Sequence, residues 1–335
     1  MANITIKDIA RLANVTPAAV SYVINNRPGV SVEKREAILK IIEETGYNPS
    51  LSSRKLVLNK SFNIHIVVSS EYASFDNLFY NAAIKRMMEI CMQNGYNLVL
   101  SNTEDFENSR LLNSISQRDV DGVIFLMDAA SDAQKCLKEN DIPYVILDAH
   151  SKDREQSRVY CDYTESAYSA VKYLISMGHE RIGFVGMKEI PEFYSATLGG
   201  YQKALSEIAV VPDENWIFGI DKDNTLGDFA GRNSGLTAVL CATDIIAVNF
   251  MKELRKKGIS VPEDISVCGL DDIVIAEYAT PSLTTVEIDK CKMGEEAVLL
   301  LIKMIDGIVG TEAVCVHCQN VVERESVKRI SDSGV

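Results

Sequence analysis

Four polar side chains that could bind a ligand follow apolar, strand-like runs of the sequence. Asp148 ends PYVILD, Thr243 and Asp244 come after TAVLC, and Asp271 follows DISVCGL. Carboxylates and hydroxyl groups accept hydrogen bonds from hydroxyl-bearing compounds such as sugars. Side chains directly after parallel strands face the cleft in which open α/β proteins bind ligands. Helix capping is the alternative for each; it is favoured for Asp244, and ligand binding is favoured for Asp271.

Two aromatic residues, Phe79 and Tyr80, begin a predicted helix after the first apolar run of the body. They could form an apolar or stacking wall for a ligand. Core packing is an equal alternative for Phe79.

The cysteines and glycines favour neither a cofactor nor catalysis. Cys315 and Cys318 form a CxxC around His317, but the motif is isolated, and strand alternation would place Cys318 opposite the other two. The eight scattered cysteines suit reduced thiols in a cytoplasmic protein better than a disulfide framework. No nucleotide-binding glycine loop or serine–histidine–acid arrangement is evident. We therefore expect no metal, no cofactor and no enzyme activity.

Charge is unevenly distributed along the chain. Residues 1–60 hold nine Lys and Arg against five Asp and Glu, a balance of +4, so the net −13 leaves −17 for the rest. A basic head on an acidic body indicates that contact with nucleic acid is confined to the head. No apolar run reaches the roughly 20 residues of a membrane span, and the start of the chain lacks the apolar segment of a secretory signal. No membrane partner is expected.

The basic head is predicted to form three short helices over residues 5–45. Thr5 with Asp8, Thr16 with Pro17, and Ser31 mark the three starts. Two short helices with a tight turn and a third as a brace form a helix-turn-helix, whose second helix reads the DNA major groove. From spacing alone, an ordinary three-helix bundle is an equal alternative.

The head closely resembles that of the LacI family of bacterial transcriptional regulators. The resemblance lies in TIKDIARLANVTPAAVSYVINNRPGVSVEKREAILKIIEETGYNP, over residues 5–49. It implies base contacts from Pro17, Ala18 and Tyr22. Tyr22 stands where arginine is common and cannot grip guanine bidentately, so the operator should differ from the usual one. The resemblance further implies phosphate or base-edge contacts that set the register on DNA, from Thr5, Thr16, Ser21, Asn25 and Tyr47.

Residues 49–60 match the family's hinge helix, which enters the minor groove at the centre of the operator. Leu56 corresponds to the leucine wedge inserted between base pairs, and Arg54 to the adjacent arginine. Ser50 and Ser53 stand where asparagine and alanine are usual, and serine is only mildly unfavourable in a helix. A solvated tether is the alternative.

The remainder of the chain alternates apolar strands with amphipathic helices, twice over. This rhythm predicts an α/β fold with two lobes, each a doubly wound parallel sheet. Resemblance to the family extends over this region, through Gly178-His179, Gly200-Tyr201 and the run Val261–Asp272. It implies a periplasmic-binding-protein-like body over residues 61–330. The N-lobe would hold about 62–160 and 288–317, and the C-lobe 161–287 and 318–330.

The resemblance also implies an effector pocket between the lobes, and the chain departs from the family there. Phe79, Tyr80, Asp148, Asp244 and Asp271 fit such a pocket. Thr197 replaces a common arginine, and Thr243 a common asparagine. A hydroxyl group cannot replace a bidentate guanidinium. The expected effector is a small molecule in this cleft; the missing arginine weakens the case for a sugar without excluding one. A protein co-regulator, as in the catabolite-control branch, is the alternative.

The leading hypothesis is a homodimeric repressor or activator that binds a palindromic double-stranded DNA operator. Two-fold symmetry suits a helix-turn-helix, and the C-terminal residues show no leucine heptads for a tetramer. A solute-binding protein would explain the body but not the basic head. A Rossmann-like enzyme would need a phosphate loop that the sequence lacks.

Overall fold

The chain divides into two compact units, Met1–Phe62 and Asn63–Val335. We call them the head and the body. Within the described ranges, none of the helices has the length and apolar character that a bilayer-crossing segment requires. The computed structural model describes residues 4–24, 28–47, 60–68, 77–102, 109–127, 131–150, 155–232, 235–317 and 320–330.

The head has the three helices that its capping residues predict: α1 (Ile6–Leu12), α2 (Pro17–Ile24) and α3 (Val32–Thr45). The Asp8 carboxylate accepts the backbone N–H of Thr5 at 3.0 Å and its hydroxyl at 2.7 Å. The α2 start is capped by Thr16, whose Oγ1 accepts the Ala19 N–H at 3.2 Å. α3 ends at Gly46, which adopts a left-handed φ of 64°. The core beneath these helices is formed by Ile9, Ala10, Val20, Val23, Ile38 and Tyr47.

The body contains two six-stranded sheets, as the repeated rhythm predicts. The first sheet, in the N-lobe, has the order β11-β5-β4-β3-β1-β2, and the second, in the C-lobe, β12-β10-β9-β8-β6-β7. Neighbouring strands are parallel except that β12 pairs antiparallel with β10. The N-lobe strands are β1 (Asn63–Val68), β2 (Asn97–Asn102), β3 (Gly122–Leu126), β4 (Tyr144–Leu147), β5 (Arg158–Cys161) and β11 (Ala313–Val316). The C-lobe strands are β6 (Ile182–Met187), β7 (Ile217–Ile220), β8 (Ala238–Cys241), β9 (Ser266–Asp271), β10 (Thr284–Glu287) and β12 (Val321–Val322).

Helices cover the sheets because the central strands are buried on both faces, as in β3 and β9. In the N-lobe these are α4 (Leu78–Gln93), α5 (Arg110–Ser116), α6 (Ser131–Glu139) and α12 (Lys290–Ile305). In the C-lobe they are α7 (Tyr163–Ser176), α8 (Pro191–Ser206), α9 (Leu226–Ala230), α10 (Asp244–Lys256) and α11 (Val274–Tyr278). A 3₁₀ turn spans Glu214–Trp216.

The chain crosses between the lobes three times. It leaves the N-lobe after β5, returns from β10 to α12, and crosses again from β11 to β12. The C-lobe helix α8 begins with a proline, Pro191. Proline is favoured in the first turn of a helix, where its missing N–H has no intrahelical acceptor.

Candidate nucleic-acid interface and ligand cavity

In the head, α2 presents its predicted DNA-reading residues to solvent. Val20 and Val23 lie in the core, whereas Thr16, Pro17, Ala18 and Tyr22 are exposed and Ser21 is half-buried. The Tyr22 ring is 42% exposed. This face carries small or hydroxyl-bearing side chains, so a DNA strand can approach closely.

Two other residues with predicted DNA contacts, Thr5 and Tyr47, lie outside α2. Thr5 is exposed, but its hydroxyl already donates to Asp8. The chain turns at Gly46 and packs Tyr47 into the core, with 9% of the residue exposed. Burial also raises the pKa of Tyr47. The predictions for Asn25 and for the hinge residues Ser50, Ser53, Arg54 and Leu56 lie outside the described residues.

In the body, a cavity of about 540 Å³ lies at the carboxyl ends of both sheets, between the two lobes. Five of the predicted effector-binding residues line this cavity. They are Phe79, Tyr80, Asp148, Thr243 and Asp271. The volume suits a small organic molecule, and this edge of the sheets is where open α/β folds bind ligands.

Asp148 follows β4 and is held by two tyrosine hydroxyls. Tyr80 donates to Oδ2 at 2.8 Å, and Tyr163 donates to Oδ1 at 2.6 Å. Burial, followed by the Asp148 charge, raises the pKa of both tyrosines well above the usual value, so both remain donors at neutral pH. Tyr163 begins α7 in the C-lobe, so its hydrogen bond joins the two lobes.

Asp271 is the last residue of β9, and only 5% of it is exposed. The Asp244 backbone N–H donates a hydrogen bond to the Asp271 carboxyl group. Burial raises the pKa of Asp271 strongly, and the carboxyl groups of Asp244 and Asp148 raise it further, while Lys290 opposes them. The Lys290 ammonium group donates to the backbone carbonyls of Asp271, of Asp272 at 3.1 Å and of Ile288 at 3.0 Å.

Two predicted pocket residues do not line the cavity. Asp244 is fully buried behind the wall, where it accepts the Ile273 N–H at 2.9 Å and the Thr285 hydroxyl at 2.5 Å. The cap of α10 is Thr243, whose Oγ1 accepts the Ile246 N–H at 3.2 Å, so the capping interpretation of Asp244 is wrong as well. Thr197 points into the C-lobe core and donates to the Phe193 carbonyl at 2.9 Å.

Sequence reasoning missed an aromatic wall of the cavity. Tyr163 and Phe193 meet edge to face with ring centres 4.7 Å apart, and the His150 ring lies 5.4 Å and 5.3 Å from them. The position of Tyr163 directly after the first crossing was the available signal. The remaining lining residues are Asn77, Leu78, Met127, Met187, Ile190, Ile245, Ile246 and Ile273.

In the part of the chain that the structure describes, no lysine or arginine lines this cavity, and no group of three or more His, Cys, Asp or Glu is arranged to hold a metal ion. Cys315 lies half-buried in β11 and His317 is exposed, whereas Cys318 lies outside the described residues. The cavity can therefore accept hydrogen bonds through carboxylates and stack a ring, but it offers no fixed cation for an anionic ligand.

Comparison with known families identifies both units. The model for bacterial regulatory proteins of the lacI family matches residues 5–50, and that for a periplasmic binding protein-like domain matches residues 171–327. The HTH-type transcriptional repressor PurR of Vibrio atlanticus is 33% identical over 336 residues, covering 98% of this chain and 99% of that repressor.

Solved structures agree with this assignment. The complex of the transcriptional regulator CelR with cellobiose is 28% identical and covers 96% of this chain and 99% of that one, with a TM-score of 0.70. The lac repressor dimer bound to operator and the anti-inducer ONPF shares the fold, with a TM-score of 0.74, 21% identity and coverage of 98% and 100%. The chain has a helix-turn-helix head and a two-lobed body, and it is 33% identical to a repressor over nearly its full length. It therefore belongs to the LacI family and is a DNA-binding transcriptional regulator.

Proposed function

We propose that the protein is a repressor that binds a palindromic operator as a homodimer and is controlled by a small molecule in the cavity between its lobes. The observation that carries the proposal is the cavity itself, with Asp148 and Asp271 contributed by different lobes. A molecule bound to both carboxyl groups would favour one lobe angle over others, because it interacts differently with each angle. The relatives solved with cellobiose or with ONPF support this form of control.

The cavity favours a small molecule over a protein co-regulator. Its wall combines aromatic rings with a few convergent polar groups, which is typical of small-molecule sites. Two contacts already join the lobes: the hydrogen bond between Asp148 and Tyr163, and the hydrogen bonds from Lys290 to the end of β9. A ligand that competes for Asp148 would change these bonds and so the lobe angle.

DNA reading would be assigned to the exposed face of α2. Thr16 and Ser21 would hold phosphates, while Pro17, Ala18 and Tyr22 would meet base edges. A tyrosine ring offers apolar contact and one hydroxyl group, so we expect Tyr22 to prefer a base other than the guanine that arginine selects.

Selection of bound duplexes from a randomised pool tests the proposal. We expect a palindrome whose affinity falls steeply with salt, because phosphate contacts release counterions. Tyr22→Ala should weaken binding to the selected duplex by about tenfold or more and relax the preference at one position of each half-site. The control is Leu39→Ala, which removes an exposed apolar side chain of α3. Enrichment of no duplex would refute the proposal.

A further inference from the structure

Two aspartates and no lysine or arginine are among the described residues that line the cavity. Asp148 and Asp271 face it from opposite lobes, and Asp244 lies directly behind Asp271. The hydroxyl groups of Tyr80 and Tyr163 already donate to Asp148. A ligand that binds the two cavity carboxyl groups must supply the donors for those bonds itself.

Nearby cations only partly compensate these carboxyl groups. Asp272 has its own partner, because Arg324 Nη2 donates to its Oδ1 at 2.7 Å. The Lys290 ammonium group donates its hydrogen bonds to the backbone carbonyls of Asp271, Asp272 and Ile288. Among the described residues that line the cavity, no lysine or arginine meets Asp148 or Asp271. A buried carboxylate whose charge is only partly compensated is unfavourable, and a bound cation would relieve it.

The aromatic wall of the cavity suits a cationic ligand. The faces and edges of Tyr163, Phe193 and His150 form an aromatic surface beside Asp148, and the His150 Nε2 lies 3.9 Å from Asp148 Oδ2. Aromatic faces attract cations and also pack against apolar carbon. An anion would meet carboxylates without a guanidinium to hold it, and a neutral polyol would bind these carboxylates without adding any opposite charge.

From these contacts we propose that the effector is an organic cation, whose ammonium or amidinium group lies between Asp148 and Asp271 and whose carbon skeleton packs on the aromatic wall. This inference rests on the proposed function, since it names the ligand class of the regulatory cavity. Amino sugars, polyamines and aromatic amines belong to this class.

Calorimetric titration of the full chain at neutral pH with matched pairs tests the inference. The pairs are glucosamine and glucose, tyramine and tyrosol, and cadaverine and 1,5-pentanediol. We expect at least one amine to bind about tenfold or more tightly than its hydroxyl partner, since charge-assisted hydrogen bonds are roughly twice as strong as neutral ones. The inference is overturned if no amine binds, or if the hydroxyl partner binds as tightly.

Charge-neutral variants separate a ligand contact from a structural role. Asp271→Asn should abolish the preference for the amine, whereas Asp132→Asn, which removes an exposed carboxylate at the start of α6, should leave it unchanged. Equal weakening of amine and hydroxyl partner by Asp271→Asn would count against the cation site.

Operator binding distinguishes failure of this inference from failure of the proposed function. One outcome is that glucose or cellobiose changes the affinity for the selected duplex while the amines do not. In that case the proposed control by a small molecule is retained, and the inference of a cationic effector is refuted. If no duplex is selected, the proposed function fails whichever compound binds.

Discussion

The two lobes end their central strands at the cavity in the same way but place the carboxyl groups in different surroundings. Asp148 after β4 and Asp271 at the end of β9 both have left-handed backbone, with φ of 62° and 112°. Asp148 accepts two tyrosine hydroxyls, whereas Asp271 lies among other carboxyl groups. The same topology thus produces a satisfied acceptor in one lobe and an acceptor suited to a ligand in the other.

The lobes also share a packing device away from the cavity. In each, two helices approach closely at a glycine: α8 reaches α7 at Gly200, and α12 reaches α4 at Gly294. An added Cβ at Gly294 would lie 2.5 Å from the Ala83 carbonyl oxygen, and one at Gly200 would lie nearer still to that of Thr164. The C-lobe pair is therefore the more tightly packed.

The largest expected effect comes from substitutions that disrupt this helix packing. Gly200→Ala should lower the free energy of unfolding by about 3 kcal/mol and Gly294→Ala by somewhat less, because backbone must move in both. Urea denaturation measures both. Gly199→Ala is the control: nothing lies within 4 Å of its added Cβ, so it should stabilise α8 by about 0.5–1 kcal/mol. Equal losses at Gly200 and Gly199 would contradict the packing argument.

A second difference between the lobes lies in their buried histidines. Burial, with Arg110 nearby, lowers the pKa of His65 in the N-lobe to about 4, and burial also lowers the pKa of His179 in the C-lobe. The hydrogen bond between His179 and the Lys328 carbonyl opposes the shift there.

Acid should therefore weaken the N-lobe more than the C-lobe. A lowered folded pKa means stability that is present above the unfolded value of about 6.5 and is lost as the pH falls through the folded value, up to about 3 kcal/mol for His65. Denaturation midpoints across this pH range should fall less steeply in His65→Gln than in His179→Gln. Parallel curves for the two variants would remove the distinction.

Replacing the Asp148 and Asp271 carboxyl groups by amides should change the free energy of unfolding in opposite directions. Asp148→Asn should destabilise the protein by about 1–2 kcal/mol at neutral pH, because an amide cannot accept both tyrosine hydroxyls. The folded pKa of Asp271 is raised, so its contribution to stability is present below its unfolded pKa and is lost as the pH rises. Asp271→Asn should then stabilise the empty protein at neutral pH, as thermal unfolding would register. Destabilisation by both variants would make the two sites equivalent.

The smallest effect concerns the bond between the lobes. Tyr163→Phe and Tyr80→Phe each remove one hydrogen bond to Asp148 and should each lower the unfolding free energy by about 1 kcal/mol. Only the Tyr163 bond crosses between lobes, so only that variant should change the radius of gyration of the body in small-angle scattering. An equal change in Tyr80→Phe would show that the bond does not set the lobe angle.

Local features of the fold and site were predictable from the sequence. Thr5, Thr16 and Ser31 cap helices through bonds within one turn, so their residue types sufficed. Asp148 and Asp271 were predictable because the end of an apolar strand determines which edge of the sheet a residue occupies.

Features that depend on contacts distant in the chain were not predictable. Asp244 has a suitable residue type near the cavity, but its side chain turns to Thr285 and to the Ile273 N–H. The wall of His150, Tyr163 and Phe193 forms only when three segments meet. Strand and helix periodicity determines a side chain's face, but not its rotamer or its distant partner.

The three crossings between the lobes also affect the order in which the protein can be completed on the ribosome. The N-lobe sheet receives its edge strand, β11, and its covering helix, α12, after every parallel strand of the C-lobe has been synthesised. The N-lobe therefore stays incomplete, with an open sheet edge, while the C-lobe strands emerge. An exposed edge of this kind pairs readily with other strands. Nascent chains stalled before residue 290 should accordingly require chaperones to remain unaggregated.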